Sequence, residues 1–220
     1  MIKYTLNRLL AIIPVLLVVA IVIFSIIHLT PGDPATVMLG SEASPERVHE
    51  LREELGLNLP LPQQFVQWLT GVIRGDLGNS VFLQKPVLDV FISHLGPTFS
   101  LAIFAQIIAI AIAIPLGVLA AVKRGTFVDQ AIMSIALLGI SVPSFLLGLF
   151  LILFVSVHLG LLPVAGYQPL SAGLIEHLKY LLLPAFALGF MQSAIITRMT
   201  RSSMLDTLTQ NFIKTARSKG

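Results

Sequence analysis

An all-α membrane protein, a polytopic helix bundle with four spans present and a small external helical layer, is the fold class this sequence predicts, on three observations. Of its 220 residues 55% are hydrophobic and 11% are charged, against about 25% charged in soluble domains, so the chain is too apolar for a domain that folds in water. Uncharged runs recur along it, each near the length a helix needs to cross hydrocarbon. Lysine and arginine collect in the short segments on one side of those runs, the asymmetry that orients a membrane protein. The net charge of +3 and pI near 9.5 do not imply nucleic acid, because the cations are divided among short segments and form no continuous basic face. Absence of cysteine excludes disulfides and thiolate metal sites.

Residues 1–8 form a basic N-terminus with Lys3 and Arg8, and the uncharged residues 9–29 form span one, reaching roughly 32 Å. A cleaved signal peptide is the rival reading. Its apolar region would be about 7 to 15 residues long, and the Ala-ended Val18-Val19-Ala20 lies mid-run, so the run reads as an uncleaved span. Pro14 is tolerable, since neighbours in lipid can satisfy a freed carbonyl.

Residues 30–97 are the external hydrophilic region. Thr30-Pro31-Gly32-Asp33-Pro34-Ala35 ends the first helix, with Asp33 placed to close an Asx-type turn. Ser44-Pro45-Glu46 opens a helix with Val48, Leu51 and Leu55 on one face and Gly56 as its stop. A second start at Pro62 aligns Phe65, Trp68, Leu69 and Val72, and a third at Pro86 aligns Val87, Val90 and Phe91, with a turn cluster at Gly75–Ser80 between them. Two arrangements fit: an amphipathic layer on the membrane surface or bundle rim, or a compact loop with its own core.

Span two occupies 98–122 and carries Ala105, Ala109, Ala113, Gly117 and Ala121, small residues spaced by four. In lipid such a stripe lets backbones approach, so it predicts a helix-packing face toward another helix of this chain or a partner. A basic loop follows at 123–130, then span three at 131–157, which Pro143 should kink. Ser141, Pro143 and Ser144, with Gln192 further on, are candidates for lining a path, since interrupted helices expose carbonyls. Alternatively the two hydroxyls bond back to carbonyls and absorb the kink. An external loop at 158–179 leads to span four at 180–197, and 198–220 is a cytoplasmic segment.

In this arrangement one side carries nine cations against two acids and the other five cations against nine acids. The basic side is cytoplasmic, with both termini inside. No ionisable residue lies well inside any run, which disfavours an ion-coupled carrier. No H-E-x-x-H, G-x-S-x-G or paired membrane acids are present, which disfavours an intramembrane hydrolase. His28, His49, His94, His158 and His177 have no metal-ligating partner at helical spacing and read as interfacial imidazoles. No phosphate-binding G-x-x-x-x-G-K-[ST] is present, so energy for uphill transport would come from another polypeptide. The available handle is the closing stretch. Asn211 can N-cap a two-turn helix, Lys214, Arg217 and Lys219 crowd its end, Gly220 sits where a C′ glycine stops it, and Phe212 and Ala216 share a face. So short a helix needs a surface to dock on, or it frays.

Thr30–Ala35, Gly75–Ser80, Pro115–Ala121, Ser141–Phe145, Leu162-Pro163 and Arg198–Gly220, in this order, resemble the permease subunit of binding-protein-dependent ABC importers, in the dipeptide, oligopeptide, glutathione and nickel branch. The likeness spans nearly the whole chain. It implies a Glu-Ala-Ala-x-x-x-Gly element that docks on an ATPase, here Lys214-Thr215-Ala216-Arg217-Ser218-Lys219-Gly220, with the Glu and first Ala replaced. It implies as partners a second homologous permease subunit, two ATP-binding subunits, an extracytoplasmic solute-binding protein and the lipid bilayer. ATP and Mg would sit on the partner ATPases, with no cofactor, metal or catalytic residue on this chain. The location implied is a bacterial or archaeal plasma (inner) membrane. Such permeases normally have six spans, so the resemblance also implies a chain truncated after the coupling glycine. A secondary carrier and a non-transport membrane scaffold are the competing functions.

Overall fold

The computed structural model describes residues 2–29, 31–40, 43–80 and 82–220, and the side chains of these except Ile2, Ile27 and Arg217. Thr30, where the first turn is expected to open, lies outside the described residues. The chain divides into two compact units, Met1–Ser93 and His94–Gly220.

The first unit begins with α1 (Ile2–Leu29), which passes through Pro14 unbroken and exposes apolar side chains along its length, as a lipid-facing helix does. Short helices α2 (Pro34–Leu39), α3 (Pro45–Glu54) and α4 (Leu61–Ile73) follow. The sequence reading missed α2: Pro34, read only as a barrier to α1, which already ends at Leu29, suits the first position of a new helix, and the Thr36 hydroxyl donates to Asp33 Oδ2 at 3.0 Å. Ser44 caps α3, accepting from the Arg47 amide, and Gly56, at φ +68°, ends it by a left-handed turn. Leu55, expected on the apolar face, is exposed. Glu46 in the first turn is held below the usual carboxylate range, mainly by hydrogen bonding to backbone and also by the Ser44 hydroxyl. His49 pairs with Glu53 at 3.4 Å on the solvent side. Phe24 on α1 packs edge-on against Phe65 on α4 at 5.3 Å and lies 6.0 Å from Trp68, while His28 Nε2 donates to Gln64 Oε1 at 3.0 Å. Among the described residues Ala35 is this unit's one buried hydrophobic, so the layer is thin, with no deep core of its own.

The second unit is built around α8 (Leu174–Leu208). Helix α5 (Val87–Val122), whose residues from His94 onward belong here, differs from the sequence reading, which divides it at Gly96-Pro97 into a short external helix and span two. Pro97 is ten residues into a helix of 36; it gives up one backbone bond and crowds the carbonyl one turn before it, costs that membrane helices tolerate because neighbouring groups re-satisfy the freed backbone. Phe91 is exposed rather than grouped with Val87 and Val90. Helix α6 (Phe127–Ser141) and α7 (Ser144–Leu151), prolonged by a π-helical stretch Ile152–His158, replace a kinked span three. The two halves are bent by 99°, because Val142 and Pro143 are both extended, with ψ of 121° and 135°, and a residue before proline is pushed out of the helical region. Among the described residues three helices can cross a membrane by length and composition, and the bent pair supplies a fourth span if it counts as one.

Helix α8 begins six residues before the expected start of span four and continues eleven beyond its end. Hydropathy marks only the apolar part of a helix; here an i,i+3 pair, Glu176–Lys179 at 2.6 Å, supports the polar first turns. His177 is buried in that region, its Nδ1 donating to the Gln168 carbonyl at 2.6 Å between the rings of Phe104 and Tyr167. The final helix is α9 (Asn211–Ser218).

Candidate functional site

The stripe Ala105, Ala109, Ala113, Gly117 and Ala121 is buried, and its partner is α8 of the same chain. A Cβ at Gly117 would stand 2.6 Å from Thr200 Cβ and 2.9 Å from the Thr197 carbonyl oxygen, and one at Gly189 of α8 would stand 2.7 Å from the Ala105 carbonyl oxygen. Two helices touching at backbone distance leave no side-chain layer to slide through. On another side of α8, Gly139 of α6 faces Ala194 and Phe190, and Gly148 of α7 faces Ala187. Thus α5, α6 and α7 are all mounted on α8.

The candidate path residues lie where α8 runs past the break. Gly139 and Gly148 bracket it along residues 187–194. Ser141 is exposed and its hydroxyl donates to the Leu137 carbonyl at 2.9 Å, which absorbs part of the break. Pro143 is exposed, Ser144 is half-buried at the start of α7, and Gln192 is on an exposed face of α8, beside the buried Ser193. The break therefore brings Ser141, Pro143 and Ser144 together on the chain, and Gln192 shares only their level on α8.

Beyond the packed helices α8 ends at Leu208 and turns into α9. Asn211 is the first helical residue of α9, and Gln210 takes the cap position, with no side-chain cap bond. The shift of one residue follows from Gln210 being extended, at ψ 153°. Phe212, 57% exposed, and Ala216 form an open face one turn apart, with Lys214 and Thr215 also exposed and Ile213 half-buried. The Thr215 hydroxyl donates to the Asn211 carbonyl at 2.9 Å, so it serves the helix rather than a free surface. Gly220 sits at φ +101°, where a side chain would be strained. The side chain of Arg217 lies outside the described residues.

One feature escaped sequence reasoning. Arg201 on α8 grips Asp129 in the first turn of α6 with two bonds, Nε to Oδ1 at 2.6 Å and Nη2 to Oδ2 at 2.7 Å, and the Gly125 amide adds a third to Oδ2 at 3.0 Å. The carboxylate is 4% exposed. In the sequence the two residues are 72 positions apart and count only as cytoplasmic charges. No local pattern pairs them.

Two family models and several known proteins match the chain by sequence. The family model described as binding-protein-dependent transport system inner membrane component matches residues 113–220, and the N-terminal model of such membrane components matches residues 1–102. A probable peptide ABC transporter permease protein of Sinorhizobium fredii, y4tP, is 42% identical over 99% of this chain and 69% of its own length. A putative peptide transport system permease protein of Brucella suis is 45% identical over 98% of this chain and 68% of its own length. The dipeptide transport system permease protein DppB of Escherichia coli is 39% identical, over 100% of this chain and 72% of its own length.

Proposed function

The chain belongs to the binding-protein-dependent transport system inner membrane component family as a membrane permease, and from that premise we propose that α9 is the handle by which an ATP-hydrolysing partner drives it. The cargo is a peptide or a related small solute, of the di- or oligopeptide, glutathione or nickel class; the names of the relatives, which say peptide and dipeptide, support the peptide part of that range. The chain pairs with a second homologous permease subunit and two ATP-binding subunits that hold ATP and Mg, and an extracytoplasmic solute-binding protein docks on the 30–97 layer. It resides in the inner membrane with both termini cytoplasmic. It moves solute and leaves hydrolysis to its partners.

The observation that carries this reading is the open Phe212–Ala216 face on a two-turn helix at the end of α8. Two turns do not hold themselves in water, and an exposed Phe beside a small residue is a ridge and hollow suited to a groove. ATP-driven closure of the partners would draw α9 along and tilt α8, to which the other helices of the second unit are packed. Co-purification of the whole complex tests it. Phe212→Asp or Ala216→Trp should lower ATPase capture at least about tenfold with membrane insertion intact. Unchanged capture would refute the role.

A further inference from the structure

Three carboxylate bonds converge where α8 leaves the packed helices, and no step of the proposed cycle yet uses them. We propose that Asp129 and Arg201 are positioning residues that pin α8 at this exit, so that residues 197–208 and α9 move as one stiff lever. The inference rests on the reading of α9 as the handle.

Two anchors meet within one turn of α8. Thr197 and Thr200 abut Gly117 of α5 at backbone distance, and Arg201 is held by Asp129 of α6. The helix is thereby fixed against two different neighbours, which stops both translation and rotation about its axis. A bidentate guanidinium–carboxylate pair fixes direction as well as distance, which a lysine point charge would not. Because Asp129 Oδ2 also accepts from Gly125, the same carboxylate ties in the turn between α5 and α6. The buried carboxylate is little screened by salt, and removing Arg201, whose side chain is 27% exposed, strands it.

From Arg201 to Leu208 the lever is only about 10 Å long. The corner beyond it is bonded on both sides. The Gln210 amide donates to the Thr207 carbonyl at 3.1 Å, the Gln210 carbonyl accepts from the amides of Ile213 and Lys214, and the Thr209 hydroxyl donates to the Asp206 carbonyl at 2.9 Å. A push on α9 therefore reaches the exit without passing a free linker. With the pair intact the push tilts α8; without it, the push is spent in rotating or fraying the exit turn.

The test is the number of labelled dipeptides moved per ATP hydrolysed, in proteoliposomes holding the complete transporter and its solute-binding protein. Asp129→Asn and Arg201→Gln should each lower this ratio at least about fivefold while ATPase capture stays within about twofold of the unsubstituted complex. The double variant should be no worse than either single one, since both remove one interaction. Arg201→Lys, which keeps the charge and loses the fork, should fall between. An unchanged ratio, or transport and hydrolysis falling together in proportion, would overturn the proposal. So would failure of all these variants, Arg201→Lys included, to accumulate in the membrane, because the pair would then serve folding alone. Failure of the handle reading shows separately, as Phe212→Asp complexes that keep their ATPases.

Discussion

Gly117→Ala is a perturbation whose effect can be worked from the packing of α5 on α8. The new methyl would meet Thr200 Cβ at 2.6 Å and the Thr197 carbonyl oxygen at 2.9 Å, while carbon atoms in contact prefer about 3.5–4.0 Å. Neither neighbour can rotate away, since one is the branch point of its side chain and the other is backbone. The helices must separate by roughly 1 Å, an overpacking cost of about 1–3 kcal/mol. Against this stands a gain of up to about 1 kcal/mol from replacing glycine within a helix. Taking the gain from the cost leaves a net loss of up to about 2 kcal/mol and a melting temperature lower by up to roughly 8 °C. Gly189→Ala, facing the Ala105 carbonyl oxygen at 2.7 Å, should behave alike. Gly148→Ala is the control: its methyl would lie 3.8 Å from Ala187 Cβ, an ordinary contact, so the propensity gain should win and the protein should melt slightly higher. Thermal unfolding of the purified variants in one detergent, followed by helical circular dichroism, reads all three. If Gly117→Ala melts at or above the unsubstituted protein while Gly148→Ala melts below it, the backbone contact between α5 and α8 is refuted.

Glu46 sits below the usual carboxylate range in the folded chain, so its ionised form favours α3; that contribution is complete above the unfolded pKa and is lost as pH falls through the lowered folded value. The protection of α3 amides, taken relative to their intrinsic exchange rate at each pH, should therefore fall as the pH drops through the carboxylate range, a trend that Glu46→Gln should flatten and whose persistence in that variant would rule the carboxylate out. His177→Leu keeps bulk between Phe104 and Tyr167 but leaves the carbonyl of half-buried Gln168 without its donor, which should cost about 1 kcal/mol in the same unfolding assay; a loss below about 0.5 kcal/mol would show the bond to be incidental.

Composition and run length were enough to read an all-α membrane fold, because hydrocarbon leaves so few alternatives to a helix. The small-residue stripe was legible as a packing face for the same reason, although its partner was not, since nothing local singles out α8. Helix ends were read poorly wherever polarity and helicity part company. Pro97 lies within α5 and Glu176 and Lys179 lie within α8, so an apolar run understates the helix that contains it. Pro143 announced a bend, but its size depends on Val142 also being extended, a backbone state that residue type only biases. Phe212 and Ala216 were legible as a face because their spacing is local. Asp129 and Arg201 were not, for a pair joining distant helices exists only once those helices are packed.

The bend between α6 and α7 bears on how the chain enters its membrane. At Val142-Pro143 the backbone leaves the helical ladder; the Val142 amide and the Pro143 carbonyl stay bonded, but two helix ends meeting at the break leave further backbone groups to satisfy, which lipid tails cannot do. Residues 127–158 are apolar enough to partition, but the break is flanked by α8, which Gly139 and Gly148 meet along residues 187–194, and α8 is synthesised afterwards. The bent pair is therefore expected to reach its final seat only after α8 arrives, an order that crosslinking of nascent chains of increasing length would read.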